Sequence, residues 1–268
     1  MTQAAMQAGH NGAKGRGGLP LGVALSEAVR AMPDMMRGAG PVLILTTILL
    51  AASGWLAAWT GGLVGLAAVV GLSGFCAVTR IGLFGLEGAR ERGLGPGGFQ
   101  LRRLELRLLG ATLLIALFMS IILSLLGLTA LALFGASGLD AGAIEARDWA
   151  RVGPVWKLVL LGGVALIVVA TPVVFLVRLS LYAQATAVWG RMASLATTGL
   201  TNGAMLPLLA GLAICAAPTV LWMVVAFTAG WGGSVAGAVG AALWVLVQTP
   251  LTAGFLGAAW RRLGREEG

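Results

Sequence analysis

Six apolar stretches constrain this chain more than any other feature. They cover residues 40–59, 61–78, 108–134, 158–177, 204–227 and 235–260. A run of about 18 or more residues with few charges is long enough to cross the ~30 Å hydrocarbon core of a bilayer as a helix. The third run is long enough to do so with tilt. A mean hydropathy of +0.93 and 10% charged residues leave too little polar surface to clothe six such helices in water. The expected fold class is all-α: a polytopic membrane protein of six transmembrane helices in three hairpins, with amphipathic interfacial helices.

Charge sets the orientation. Lysine and arginine near span ends favour the cytoplasmic side. With both termini inside, 15 basic residues fall on that side and 3 on the other, namely Arg147, Arg151 and Lys157. The connections 59–62 and 228–234 carry none. Trp55, Trp59, Trp149, Trp156, Trp231 and Trp260 lie near span ends, where an aromatic belt belongs. The formal charge of +8 sits beside spans, so its expected counterpart is the anionic headgroups of the lipid bilayer and not nucleic acid. This predicts a multi-pass protein with both termini cytoplasmic.

The domain plan has four parts: a disordered cytoplasmic tail over 1–18, an amphipathic interfacial helix over 19–38, a transmembrane domain over 39–260 and a tail over 261–268. Residues 1–18 are polar and glycine-rich, so the first span is expected to serve as its own insertion signal. In 19–38, Leu21, Leu25, Ala28, Val29, Met32 and Met36 recur at helical spacing, with Ser26, Glu27, Arg30, Asp34 and Arg37 on the other face. Pro33 and the Gly38–Pro41 break favour a separate element; a plain extension of the first span is the other reading. Weaker amphipathic segments precede the other hairpins. One sets Leu101, Leu104 and Leu108 against Arg102, Arg103 and Glu105; the other covers 187–203. The stretch Gly93–Gly98 reads as a flexible turn. It lacks the lysine-hydroxyl ending of a phosphate loop.

Candidate chemistry is sparse. Gly135-Ala136-Ser137-Gly138 resembles the nucleophile loop of rhomboid-type intramembrane proteases. Such a serine needs a base within hydrogen-bond reach. The single histidine, His10, is in the N-terminal tail, and Ser73 in its similar setting fares no better. Residues 86–93 glance at the motif of phosphatidyl-group transferases, which hold divalent metal on intramembrane carboxylates. All ten acidic residues here lie outside the apolar runs. Cys76 and Cys215 have no cysteine neighbour and read as small buried side chains. No cofactor and no catalytic residue is expected. Gly61 and Gly65 read as places where helices approach closely.

Two groups of residues remain as candidate sites. Arg80, Arg178, Arg102 and Arg103 are candidate lipid-headgroup contacts, with Arg80 and Arg178 snorkelling from the ends of the second and fourth spans. Thr171, Pro172, Pro218, Gln248, Thr249 and Pro250 are a candidate intramembrane polar and kink site. Proline frees backbone carbonyls, and discontinuous helices build substrate sites. Ordinary proline in a membrane helix is the other reading. Gln248 is the most polar group in the runs and is expected to bond to a neighbouring helix.

Two stretches carry a family resemblance: residues 25–38, and residues 175–209. The second has Arg178, Leu179, Ser180 and Leu181 leaving the fourth span, then Leu200, Thr201, Asn202 and Gly203 entering the fifth. Gln184 and Gly199 stand where that pattern often has proline and tryptophan. The chain thus resembles the six-helix membrane domain attached to some glycerophosphodiester phosphodiesterases, and its stand-alone cousins. The resemblance implies architecture and location in a bacterial inner membrane, without the soluble catalytic domain. Two functions follow as expectations: a non-enzymatic module that associates with lipid, a membrane-protein partner or a second copy, or else a small transporter or channel with a site among the fourth to sixth spans.

Overall fold

Each apolar run becomes a helix, because a chain in hydrocarbon must satisfy its backbone groups internally. The computed structural model describes residues 19–56, 59–100, 103–146, 148–190 and 203–263. The N-terminal tail, Arg102, most of the segment before the fifth span and the last five residues lie outside them. The long helices are α1 (Leu21–Trp55), α2 (Thr60–Glu91), α3 (Arg103–Ser137), α6 (Val155–Leu179) and α8 (Met205–Thr228). The sixth span joins α9 (Ser234–Ala242), a π-helical turn (Leu243–Gln248) and α10 (Thr249–Leu263). Short helices α4 (Ala141–Glu145), α5 (Trp149–Val152) and α7 (Tyr182–Trp189) fill connections. All six spans are long and apolar enough to cross a membrane, and no strand occurs among the described residues.

The helices alternate in direction, so the chain has a basic end, where α1 starts and α10 stops, and a far end at Trp55 and Trp231. The core lies toward the basic end and is built on small residues. Ala28 of α1, Gly82 of α2 and Ala253, Gly254 and Gly257 of α10 bring three backbones together. A Cβ on Gly82 would stand 2.8 Å from the Ala253 carbonyl oxygen, and one on Gly254 would stand 3.0 Å from the Ala28 Cα. A Cβ on Gly257 would collide with the Gly82 carbonyl. Phe255, fully buried, lies over Gly211 of α8, which has no room for a side chain. Without a hydrophobic drive between helices in lipid, such contact supplies the attraction. The predicted pair Gly61 and Gly65 does not take part: both face open space. Outward apolar faces are the norm elsewhere. Of the 25 residues of α6, only Val177 and Leu179 are buried.

Several expectations need correction. The separate interfacial helix is absent, because α1 runs unbroken from Leu21 to Trp55 with Pro33 and Pro41 inside it. Its polar first half is held down by packing: Ala24, Ala28 and Met35 are buried, whereas Val29 is exposed. The α3 entry keeps its expected sides for Leu108, buried, and Arg103, exposed, but not for Glu105. Glu105 is buried on the same stripe as Leu108 and Ala111, and Leu106 is exposed. Leu101 and Arg102 of that segment, and 191–202 of the one before the fifth span, lie outside the described residues. The 93–98 turn is docked, not free: Gly97 and Gly98 adopt positive φ and lie against Pro41 and against Ala39 and Val42 of α1. The true bend in α2 is at Gly85, whose φ of 74° suits a residue without a Cβ.

The proline positions behave differently from one another. Helix continues through Pro172 and Pro218. Ahead of Pro250 the ladder widens into the π-helical turn, and the Thr249 hydroxyl donates to the Trp244 carbonyl at 2.9 Å. Proline has no N–H for the residue four back, and a widened turn is one way to absorb that.

Candidate functional site

Arg80 is not a snorkelling side chain. It lies on α2 at 5% exposure, with Nη2 3.1 Å from Glu105 Oε1 and Nη1 donating to Gln100 Oε1 at 3.1 Å. Glu105 has no exposed surface at all. A guanidinium at a span end reaches for the headgroups only if nothing nearer neutralises it. Here the first turn of α3 supplies a carboxylate, and a pair with further hydrogen bonds tolerates burial far better than a lone ion. Gln100 Oε1 also accepts from Gly95 N at 3.3 Å.

Ser73 completes this node. Its hydroxyl lies 2.9 Å from the carbonyl oxygens of Gly98 and of Gln100, and it accepts from Gln100 N at 2.8 Å. One buried hydroxyl thus holds the α2–α3 connection against α2. The other serine of interest, Ser137, ends α3. Its hydroxyl donates to Phe134 O at 2.6 Å, and Lys157 Nζ donates to the Ser137 carbonyl, not the hydroxyl.

The remaining predicted arginines scatter. Arg103 is exposed, Arg178 is half-buried and makes no ion pair among the described residues, and Arg102 lies outside them. Arg107 donates to the Gly190 carbonyl beyond α7. Arg261 and Arg262, expected in a tail, belong to α10. They reach Glu27 of α1 at 3.0 and 2.5 Å, and Arg261 also donates to the Gly82 carbonyl. That joins both ends of the described chain.

The predicted polar cluster does not assemble. Two apolar grooves lie near the π-helical turn. One, of about 500 Å³, is lined by Leu43, Thr46, Phe75, Tyr182, Trp244 and Thr249 among others. The other, of about 530 Å³, includes Thr219, Trp222, Trp231 and Trp244. Trp244 belongs to both. Thr171, Pro172, Pro218, Gln248 and Pro250 line neither. The expected bond from Gln248 to a neighbouring helix is absent: its side chain is half-buried and makes no hydrogen bond among the described residues. Thr219, beside Pro218 in the expected proline-and-threonine group, does line the second groove. Its hydroxyl is buried in the groove wall without a partner among the described residues.

Among the described residues no three histidine, cysteine or acidic side chains are placed to hold a metal ion, and both cysteines are free and buried. Comparison with known proteins gives no match: no family model fits, and no curated protein or solved structure is similar. The fold and these sites define an all-α, polytopic membrane protein, with no catalytic constellation visible among the described residues.

Residue chemistry hinted at part of this. A cation following a span with no acid one turn away needs a partner, and Glu105 is the acid nearest the next span. Nothing local marks Gln100 or Ser73, whose roles arise only once the connection folds back.

Proposed function

We propose that this chain is a non-enzymatic, lipid-associating module of a bacterial inner membrane, with both termini in the cytoplasm. The observation that carries the reading is where the arginines stand. Arg30, Arg37, Arg90 and Arg103 are exposed at the basic end, above helices whose outer faces are bare leucine and valine. Basic side chains at headgroup depth attract anionic lipid, by about 1 kcal/mol each near the surface. The kinship with the membrane domain of glycerophosphodiester phosphodiesterases belongs to the same proposal. In it, the thinly packed α6 is the surface where a membrane-protein partner or second copy would dock.

The test is reconstitution into nanodiscs of phosphatidylcholine with and without phosphatidylglycerol. The reading requires a higher unfolding temperature in the anionic discs and a difference that shrinks with salt. Equal stability in both would sink it.

One observation favours a transporter reading as the alternative: the two grooves meet at Trp244, on a π-helical turn, and such turns often mark functional sites. A solute flux abolished by Thr219→Val and Pro250→Ala would decide for it.

A further inference from the structure

We propose that the basic end holds a discrete phosphate-binding site, formed by Arg37 of α1 and Arg90 of α2 over the Gly95–Gly97 turn; it deepens the lipid-associating reading and rests on it. A cavity of about 310 Å³ is lined by Arg37, Gly38, Arg90 and the turn. The two arginines come from different helices, 53 positions apart, and converge because Gly85 bends α2 before it reaches Arg90.

The floor of the cavity is held in place. Ser73 holds Gly98 and Gln100, the Gln100 side chain receives Gly95 N, and Gly97 packs on Pro41. A rigid floor under two guanidinium groups is what a phosphate needs, since arginine offers planar, paired donors to its oxygens. Arg90 makes no ion pair among the described residues. Arg37 lies 3.6 Å from Asp34, with its side chain 75% exposed, a contact weak enough to exchange for a phosphate.

Depth fits a headgroup. From Arg37 to Trp55 at the far end, α1 rises about 27 Å at 1.5 Å per residue, close to the ~30 Å hydrocarbon thickness. The ligand is a phosphate mono- or diester, taken from a phospholipid headgroup or from a free phosphate compound.

The experiment titrates delipidated protein in neutral detergent with phosphatidylglycerol, with phosphatidylcholine of the same chains and with inorganic phosphate, following the unfolding temperature. Wild type, Arg37→Gln, Arg90→Gln and Arg30→Gln are compared, because Arg30 is an exposed cation at the same end that does not line the cavity. The expected result is a saturable shift with phosphatidylglycerol, weakened about tenfold in Arg37→Gln and Arg90→Gln and kept in Arg30→Gln. The same variant pattern with inorganic phosphate supports the site and assigns it a soluble ligand. Equal weakening in all three variants overturns the site and leaves general lipid association standing. No shift in wild type with either probe overturns both.

Discussion

Ser73 of α2 and Gln100 of the α2–α3 connection hold each other twice: Gln100 N donates to Ser73 Oγ at 2.8 Å, and that hydroxyl lies 2.9 Å from the Gln100 carbonyl. The pair fixes Gln100 where its side chain can receive Arg80. A small buried hydroxyl therefore sets the position of the ionic node and of the cavity floor.

Ser73→Ala should destabilise the fold by about 1–3 kcal/mol, because buried N–H and C=O groups lose their partner. Limited proteolysis within 93–98 should also quicken. Denaturant unfolding in detergent and a timed digest check both, and an unchanged digest would show that the turn is held by other contacts.

Glu105→Gln should cost about 3–5 kcal/mol, since it leaves Arg80 charged and buried. The double change Arg80→Met with Glu105→Leu should cost less than the single one. Thermal unfolding of the three proteins gives the order directly.

Gly257→Ala should destabilise by at least about 1–3 kcal/mol, because a methyl there meets the Gly82 carbonyl and neither backbone can yield cheaply. Gly61→Ala and Gly65→Ala should be neutral or slightly stabilising, since both positions are open and helical. The contrast is read from expression level and unfolding temperature.

Glu27→Ala should cost about 1 kcal/mol or less at ordinary ionic strength, because Glu27, Arg261 and Arg262 are each about a third exposed. The loss should shrink further in high salt. A large, salt-independent loss would mean that Glu27 also organises the Gly82–Arg261 contact.

The six spans were legible because length and hydropathy are local properties. What the sequence could not supply were relations between distant residues. Gly61 and Gly82 are alike as letters, yet only Gly82 faces another backbone, and that depends on how α10 crosses α2. Arg80 and Arg178 occupy similar places in their hairpins; among the described residues only Arg80 finds a carboxylate, because α3 enters with Glu105 turned inward. The 19–38 pattern was misread as a separate interfacial element, since amphipathic spacing does not distinguish a face on headgroups from a face on α10. The Gln248–Pro250 signal was real in its backbone effect, a π-helical turn, while the polar group in the adjacent groove wall is Thr219.

The most direct test of the lipid-associating claim is native mass spectrometry after mild extraction of the full chain from its own membrane. The account predicts a stoichiometric anionic phospholipid retained on the protein and lost on adding salt. A bare chain, or one carrying neutral and anionic lipids in membrane proportion, would contradict it.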